Sequence, residues 1–446
     1  MSLYSTFCRH MQGLTAQHTL LVAFSGGLDS TVLLALAARF AKERGIAIRA
    51  LHIAHGLQDA AKAWPQHCKN VAALLDVECV MKEVHITLGP RISLEAAARD
   101  ARYQALEQLM SEHDILLTGH HLDDQAETLL LALKRGAGIA GLAAMPERKP
   151  FGSQSQYQHW RPLLGCSRQS LEIYAKEQGL NWVEDPSNRN DEFDRNFLRN
   201  QILPRLLKQW PSFNHTVARS AELCGEQLQL AQELAELDFP SVKNNSGGLK
   251  IAGLQALSVA RRHNVLRHWL QLHNVYPSRT QLDAIWQQVA LARRDATPQV
   301  RLGAASILRY QGALYIPNAT GKTQVLQELI PERWLDAGVG RLRLSWVEQG
   351  ADLDGELSLS QLQLSFNIHG LRAQPQGRAS SRALKKLWQE YAVPTWLRAH
   401  MPLLLIGNEQ LVAVPGLFVS QDYAAKPNQA GWRLEWRAAD TEANLV

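Results

Sequence analysis

The chain is poor in cysteine and lacks long apolar runs. Its 446 residues include five cysteines, and no two of them form a Cys-x-x-Cys pair, so the sequence offers no zinc motif, disulfide framework or redox motif. We expect these cysteines to be small buried hydrophobic residues. No stretch approaches the roughly 18 apolar residues of a membrane span, and residues 1–10 lack the apolar core of a signal peptide. These absences predict a cytoplasmic protein without a membrane partner.

The composition is that of a folded protein with more than one domain. The length suffices for about two to four domains, and 46% hydrophobic and 20% charged residues are typical of globular proteins. The formal net charge is +5. This mild excess of positive charge is compatible with a polyanionic partner but does not by itself indicate one.

The most informative segment is Phe24–Ser30, with the sequence Phe-Ser-Gly-Gly-Leu-Asp-Ser, directly after the apolar run Leu20–Ala23. It predicts a strand, a tight turn and a helix. The two glycines allow backbone N–H groups to approach an anion closely, and the helix start adds unpaired N–H groups and a positive dipole end. One interpretation is an ordinary turn with an Asp or Ser helix cap. The full string favours a nucleotide-phosphate site.

The carboxylate of Asp29 is unexpected beside a phosphate unless it holds a metal ion or contacts the reacting group. The segment is not a Walker A loop. The sole Gly-Lys-Thr string, at 321–323, has Ile316 where that motif requires its first glycine, and we interpret it as a loop.

Strand and helix patterns alternate over the first part of the chain. The strand candidates are Thr19–Phe24, Ile48–Ile53, Glu78–His85 and Ile115–Thr118. The helical patterns are Ser30–Arg44, Ala60–Leu75, Leu94–Met110 and Asp124–Lys134, followed by Ser167–Gln178. This alternation predicts a doubly wound parallel α/β sheet. Because ligands bind at the carboxyl ends of such strands, we expect the Ser25 loop, residues 52–55 and residues 119–124 to converge.

A second cluster lies in residues 118–128, Thr-Gly-His-His-Leu-Asp-Asp-Gln-Ala-Glu-Thr. Asp124 and Glu127 are three residues apart and share a helix face. Two carboxylates there could hold an ammonium group, bind a metal ion or accept a proton. The alternative is N-terminal capping, because acidic residues are favoured in a first helical turn. The preceding His-His pair favours a site, although the spacing matches no standard zinc motif.

Three further sets of residues could contact phosphate or nucleoside. His52 and His55 end the second predicted strand, where they could contact an adenosine or be ordinary core histidines. Arg99 could reach a phosphate or form an exposed ion pair. Arg195 and Arg199 are four residues apart on one helix face, and their guanidinium groups suit pyrophosphate or RNA phosphate.

The later parts of the chain differ in character. Residues 148–159 are polar and predict an exposed loop, and residues 212–291 are helical with a break at 239–248. A third region begins near Gly350, and its residues 371–400 hold six Lys or Arg against one acidic residue, with Trp388 and Trp396 among them. Such a patch suits nucleic acid, or is a solvated surface over core tryptophans. The predicted domains are residues 1–211, 212–320 and 350–440.

The Ser25–Ser30 string resembles the signature of the PP-loop ATP pyrophosphatases, which split ATP into AMP and pyrophosphate. Together with four further strings it resembles the tRNA(Ile)-lysidine synthase family. Those strings are His52–Leu57, Glu95–Tyr103, Thr118–Gly138 and Glu184–Arg199. Residues 384–398 resemble the third domain of the long bacterial form. One departure is Ala54, where a polar residue is expected.

The resemblance implies a PP-loop (adenine nucleotide alpha hydrolase-like) domain, a helical middle domain and a small α+β domain. It implies that ATP adenylates the C2 carbonyl oxygen of the wobble cytidine in the isoleucine tRNA with a CAU anticodon, releasing pyrophosphate, and that the amine of free L-lysine then attacks C2 and displaces AMP to form lysidine. A homodimer is compatible with it. A PP-loop tRNA thiolase, an amidotransferase-type synthetase and a non-catalytic tRNA-binding protein are the alternatives.

The resemblance also implies residue roles. The ATP-binding residues are Ser25, Gly26, Gly27, Leu28, Asp29, Ser30, His52, His55 and Arg99, and Asp29 would also hold Mg²⁺. The catalytic residues are Asp29, Asp124, Glu127 and Arg195, of which Asp124 and Glu127 form the lysine pocket. The tRNA-binding residues are Arg199, Arg382, Lys385, Lys386 and Arg398.

Overall fold

The computed structural model describes residues 2–54, 63–84, 94–293, 296, 298–317, 329–337, 339–366, 370–407 and 409–438. The chain divides into two compact units, Met1–Ala231 and Gln232–Val446. His55, the segment 321–323 and the end of the predicted strand at His85 lie outside the described residues.

A six-stranded sheet forms the centre of the first unit. Its strands are β1 (Thr19–Ala23), β2 (Ala47–Ala54), β3 (Glu78–Glu83), β4 (Asp114–Leu117), β5 (Arg148–Phe151) and β6 (Tyr157–Trp160), in the order β3-β2-β1-β4-β6-β5. All neighbouring pairs are parallel except β5 with β6. Leu20 and Val22 belong to one buried cluster and Leu21 to another, so β1 is covered on both faces. The predicted doubly wound sheet is confirmed.

Helices connect these strands and extend beyond them. They are α1 (Leu3–His10), α2 (Leu28–Arg44), α3 (Trp64–Leu74), α4 (Leu94–Glu107), α5 (Leu122–Lys134), α6 (Ile139–Leu142), α7 (Arg168–Glu177), α8 (Asp194–Phe197), α9 (Leu203–Gln209) and α10 (Phe213–Val242). A π-helical turn, Leu198–Ile202, joins α8 to α9. The predicted helices of this unit agree with the structure to within a few residues over the part that the structure describes.

The prediction of an exposed loop over residues 148–159 is wrong. This segment is the β5–β6 hairpin, whose turn contains Gly152 with a φ of +96°. Its polar composition is misleading because the strands pair through their backbones, and because His159 and Trp160 are buried. The hairpin therefore extends the sheet beyond β4.

The second unit begins with helices around a small antiparallel sheet. After α10, which contains Pro240, come α11 (Ile251–Ala256), α12 (Val259–Gln271) and α13 (Arg279–Ala284). The strands are β7 (Leu249–Lys250), β8 (Gln299–Leu302), β9 (Ala305–Tyr310) and β10 (Ala313–Tyr315), in the order β7-β10-β9-β8. The helical break expected from residue 239 begins only after Val242. The sheet is an addition to the expected helices.

Where the structure describes it, the rest of the second unit consists of antiparallel strands, one α-helix and short 3₁₀ turns. The elements are β11 (Leu335–Asp336), β12 (Gly340–Val347), β13 (Leu353–Asp354), β14 (Leu362–Ser365), β15 (Arg372–Ala373), β16 (Arg382–Ala383), α14 (Leu384–Glu390), β17 (Leu403–Ile406), β18 (Gln410–Val414), β19 (Phe418–Val419) and β20 (Gly431–Ala438). They form sheets in the orders β11-β12-β20-β13, β14-β17-β18-β19 and β15-β16. Within the described part of the chain, every helix is too short or too polar to cross a bilayer.

Candidate active site

The loop between β1 and α2 presents backbone N–H groups at the carboxyl end of the central strand. Gly26 has a φ of +85°, and a Cβ at this position would lie 2.9 Å from the Sγ of Cys68. Gly27 is the N-cap of α2 and supplies no side chain to cap the helix. The Ser30 hydroxyl donates to the carbonyl of Gly27 at 3.0 Å and lies 3.1 Å from the Ser25 hydroxyl. The loop is therefore fixed by its own hydroxyl groups, as an anion site requires.

Two residues expected to bind the cofactor support this loop from inside the fold. His52 is buried, with its Nδ1 2.9 Å from the Phe24 carbonyl oxygen and 3.3 Å from the Cys68 Sγ. The Leu28 side chain belongs to the hydrophobic core of the sheet. These side chains are thus occupied in holding the loop in place. Arg99 is exposed on α4, and its guanidinium carbon lies 5.2 Å from the centre of the Tyr103 ring.

Asp29 lies where two loops meet. A Cβ on Gly119 would lie 2.9 Å from the backbone carbonyl of Asp29, so this glycine brings the β4–α5 loop against the start of α2. Arg168 Nη1 donates to both oxygens of Asp29 at 3.1 Å. Burial raises the pKa of Asp29, but His121, Arg168 and Arg199 together outweigh this effect and hold the pKa below its usual value. The side chain is therefore a carboxylate at neutral pH.

His121 joins this carboxylate to a second one. Its imidazole is buried, and Nε2 lies 3.6 Å from Asp29 Oδ2 and 3.5 Å from Asp124 Oδ2. Burial lowers the pKa of His121, but the two carboxylates raise it more, so that the net shift is upward. The backbone N–H of His121 also donates to Asp124 Oδ2 at 3.0 Å. Asp29 and Asp124 are therefore parts of one site.

Asp124 and Glu127 on α5 face two arginines, and we call these four residues the carboxylate–arginine cluster. Glu127 is fully buried and accepts from Arg195 Nε at 2.8 Å and from Arg199 Nε at 2.7 Å. Arg199 Nη2 also donates to Asp124 Oδ1 at 3.2 Å. Burial lowers the pKa of Arg199, but the charges of Glu127, Asp124 and Asp29 raise it more. N-terminal capping of α5, the alternative role of these carboxylates, explains only part of these contacts.

The site pairs its charges almost completely. Asp29 and the two carboxylates of the cluster face three guanidinium groups, those of Arg168, Arg195 and Arg199. A buried set of alternating charges can exchange internal partners for those of a ligand. Phosphate or carboxylate can replace the acidic side chains at the arginines, and an ammonium group can replace an arginine at the carboxylates.

The sequence interpretation missed Arg168 and the role of His121. Arg168 is the first residue of α7, directly after the N-cap Ser167, and lies 139 residues from its partner Asp29. No spacing rule connects positions that far apart, and only the packing of α7 against α2 brings them together. The His-His pair pointed to the segment that approaches these carboxylates, but not to His121 as the ring that lies between them.

The basic residues of the C-terminal patch belong to the second unit. Lys385 and Lys386 are exposed on α14, and neither pairs with an acidic side chain in the part of the chain that the structure describes. Arg382 pairs with Glu390, and Arg398 Nε donates to a backbone carbonyl at 3.0 Å. Trp388 is buried in the core of this region, so it is not a stacking platform for bases.

Three domain families match this chain. They are the PP-loop domain over residues 3–206, the TilS substrate binding domain over residues 249–315 and the TilS substrate C-terminal domain over residues 362–436. The chain is 43% identical over 440 residues to a tRNA(Ile)-lysidine synthase from Shigella flexneri, covering 97% of this chain and 99% of that protein. It is 42% identical over 437 residues to one from Yersinia pseudotuberculosis and 43% over 441 residues to one from Escherichia coli O157:H7, covering 93% and 97% of this chain and 95% and 99% of those proteins.

Proposed function

Because the chain belongs to the tRNA(Ile)-lysidine synthase family, we propose that its nucleotide loop and its carboxylate–arginine cluster divide the reaction of that family between them. The activity itself is lysidine formation on tRNA(Ile), a ligase reaction that uses ATP. The observation that carries the division of roles is the contact through His121, which joins Asp29 at the nucleotide loop to Asp124 in the cluster.

The nucleotide loop would hold the phosphates of ATP. The N–H groups of Gly26, Gly27 and the first turn of α2 would bind phosphate oxygens, because no side chain caps this helix. The Ser25 hydroxyl can turn its proton outward once a phosphate displaces its contact with Ser30, whereas the Ser30 hydroxyl would have to leave the Gly27 carbonyl to do the same. Leu28 would act through its backbone, and His52 by fixing the loop. Arg99 and His55 stay predictions as cofactor contacts.

The carboxylate oxygens of Asp29 are suitable ligands for Mg²⁺. Its carboxylate is a hard oxygen ligand that is ionised at neutral pH, and Mg²⁺ is commonly held by one or two carboxylates together with substrate phosphates. Among the described residues, no group of three or more His, Cys, Asp or Glu side chains could hold a metal by itself. Phosphate oxygens would therefore complete the ligand set. When bound, the ion would neutralise phosphate charge.

The cluster would bind free L-lysine. A zwitterionic amino acid needs a cation for its carboxylate and an anion for its ammonium group, and the cluster offers both. Asp124 is the more accessible carboxylate, with 11% of its side chain exposed against 0% for Glu127. We propose that Asp124 contacts the lysine directly. Glu127 would reach it once Arg195 turns away, and either carboxylate could accept the proton that the attacking amine loses.

Arg195 and Arg199 would exchange partners during the reaction. Arg195 would leave Glu127 to stabilise the departing pyrophosphate, which, like a carboxylate, can present two oxygens to the planar guanidinium group. Arg199 would contact the tRNA backbone from the same cluster. C2 of the wobble cytidine, activated by adenylation of its carbonyl oxygen, would then lie between the nucleotide loop and the lysine. This arrangement predicts that lysine and nucleotide each affect the affinity for the other.

The second unit would bind the tRNA away from the chemistry. Lys385 and Lys386 are exposed and without an acidic partner among the described residues, and therefore suit phosphate contacts. Arg382 and Arg398 would have to exchange their present partners to do the same. A homodimer stays a prediction, which light scattering of the full chain would test.

The cysteines favour this assignment over a tRNA thiolase. Burial raises the pKa of Cys68 to about 12, and burial also raises the pKa of Cys79 and Cys166. A thiol with a raised pKa is a poor nucleophile and a poor sulfur carrier. A non-catalytic tRNA-binding protein would not need Asp29, Asp124 and Glu127 in one connected site.

ATP consumption with purified CAU-anticodon isoleucine tRNA tests the proposal. We expect AMP release to require both the tRNA and free lysine, and lysidine to appear in the tRNA. The triple variant Asp29→Ala, Asp124→Ala, Glu127→Ala should bind tRNA without turnover. AMP release that ignores lysine but needs ammonia or a sulfur donor would contradict the lysine pocket, and full turnover by the triple variant would contradict the site.

A further inference from the structure

A chain of polar side chains lies beside the candidate active site, at the carboxyl end of β4. The Thr118 hydroxyl lies 2.7 Å from His120 Nδ1 and 2.8 Å from His159 Nε2. Arg161 Nη2 lies 3.4 Å from His159 Nδ1, and Arg161 Nη1 donates to the Pro146 carbonyl at 2.7 Å. Thr118, His159 and Arg161 are all buried. The reaction as proposed above uses none of these four side chains.

One direction of donation satisfies every hydrogen bond of this chain, because the described residues offer the Thr118 hydroxyl proton a single acceptor beyond His159, namely His120 Nδ1. A guanidinium group donates and never accepts, so His159 Nδ1 must be the acceptor from Arg161. A neutral His159 then carries its proton on Nε2 and donates it to the Thr118 oxygen. The single proton of that hydroxyl is left for His120 Nδ1, which accepts it. A neutral His120 that accepts this proton carries its own proton on Nε2.

Burial and, to a lesser degree, nearby positive charge keep both rings neutral. Burial lowers the pKa of His159 to about 2, with Arg161, Lys149 and Arg99 adding to the effect. Burial also lowers the pKa of His120 well below its usual value, and Arg161, His159, Arg99 and Arg195 lower it further. A second proton on either ring is thus disfavoured at neutral pH.

His120 is the end of the chain that can meet a substrate. It is half-buried, and no residue in the described ranges hydrogen-bonds to its Nε2. It lies between Gly119, which packs against Asp29, and His121, which lies between Asp29 and Asp124. The backbone of His120 is therefore adjacent to the proposed reaction site, and its ring is near enough to the cluster for the charge of Arg195 to act on it.

We infer that the Arg161–His159–Thr118 chain fixes His120 as a neutral Nε2–H donor, which hydrogen-bonds a phosphate oxygen as pyrophosphate leaves. In this role His120 neither accepts nor releases a proton. It stabilises an oxygen that gains negative charge, and a donor fixed in advance needs no reorganisation. Thr118, His159 and Arg161 are positioning residues that act through it. The inference rests on the proposed function, because it assumes that adenylation takes place at this site.

The tautomer can be measured without any activity. Two-dimensional ¹H–¹⁵N spectra of the full-length protein with ¹⁵N-labelled histidine, assigned by His120→Gln and His159→Gln variants, should show both rings neutral at pH 7 with the proton on Nε2. A proton on Nδ1 of either ring, or a doubly protonated ring, would overturn the inference. This result is independent of whether the protein makes lysidine.

Kinetic measurements test the proposed role of His120 in pyrophosphate release. Thr118→Val keeps the shape of the side chain and removes the hydroxyl, whereas Thr118→Ser keeps the hydroxyl. The quantity to measure is the rate constant of pyrophosphate release in a single turnover with tRNA. We expect this rate constant to fall roughly tenfold or more in Thr118→Val and about 10²-fold to 10³-fold in His120→Ala. We expect Thr118→Ser and His120→Gln, which retain a hydroxyl and an N–H donor, to recover most of the rate, with the KM for ATP little changed.

Equal losses in Thr118→Val and Thr118→Ser would indicate packing alone and overturn the inference, as would wild-type rates in Thr118→Val. A loss confined to AMP release, with normal pyrophosphate release, would also overturn it. A wild-type protein that makes no lysidine would instead overturn the proposed function, while the tautomer result would stand.

Discussion

Glu127 combines complete burial with two guanidinium partners, and this makes the fold depend on its charge. Breaking a buried ion pair by removing one partner leaves the other charge uncompensated, which typically costs about 3–5 kcal/mol. We expect Glu127→Gln to lower the free energy of unfolding of the first unit by an amount of this order, measured by urea denaturation. The matched control is Glu172→Gln, which removes the same charge from an exposed pair with Lys176. Its expected cost is below about 1 kcal/mol.

The comparison of these two variants separates burial from charge. Equal losses of unfolding free energy in Glu127→Gln and Glu172→Gln would contradict a buried ion-pair cluster at Glu127. A variant that folds normally but loses lysine-dependent turnover would assign Glu127 to the substrate alone, without a structural role.

The low pKa of the buried His159 predicts that the protein loses stability as the pH falls. The pKa of His159 is about 2 in the folded chain, because of burial and the adjacent cations, against about 6.5 when unfolded. Between these values the unfolded chain binds more protons, so stability is lost as the pH falls below about 6.5, by up to about 1.4 kcal/mol per pH unit. We expect His159→Gln to be less stable than wild type at pH 7 and to lose less stability on going to pH 5, measured by thermal unfolding. Parallel pH profiles would contradict this.

At the scale of the element, the two ends of α2 offer a matched pair of glycines. Gly26 before the helix and Gly45 after it both have positive φ, at +85° and +65°. A Cβ on Gly45 meets open space, whereas one on Gly26 would lie 2.9 Å from Cys68 Sγ and 3.3 Å from Val183 Cγ2. We expect Gly45→Ala to cost about 1 kcal/mol, because an L-residue is strained in the left-handed region, and to leave the KM for ATP unchanged. Gly26→Ala should destabilise more and weaken ATP binding, measured by calorimetric titration.

The elements were predictable where local pattern and tertiary packing agree. The β1–α2 segment was predictable because an apolar run, two glycines and the acidic Asp29 in the first turn of the helix all indicate the same strand–turn–helix structure. The β5–β6 hairpin was not, because an edge strand is held by backbone pairing and its polar side chains resemble a loop. The spacing of the α5 carboxylates predicted that they share a helix face, and both contact Arg199. The partner of Asp29 was not predictable, because Arg168 reaches this carboxylate only through the packing of α7 on α2.

At the scale of the whole molecule, the residues of the proposed reaction and the exposed positive charges of α14 lie in different units of the chain. The carboxylates and arginines of the proposed reaction lie in the first unit and are paired with one another, so their net contribution to an external field is small. The exposed lysines of α14 lie in the second unit and are not paired with acidic residues of the described ranges. If both units bind one tRNA, the second contact is intramolecular and raises affinity without taking part in the reaction. The net charge of +5 is then relevant mainly to tRNA capture.

The double variant Lys385→Ala, Lys386→Ala tests this separation. Each lysine that neutralises a phosphate contributes about 1 to the slope of log affinity against log salt. We therefore expect weaker tRNA binding, a slope reduced by up to about 2, a raised KM for tRNA and an unchanged kcat. The control is Lys42→Ala, Arg44→Ala, which removes two exposed cations at the C-terminal end of α2, opposite the nucleotide loop. Filter binding over a range of KCl concentrations measures the slopes. Because both variants change the net charge equally, equal slopes in the two would mean that overall charge alone attracts the tRNA, and α14 would not be a contact surface.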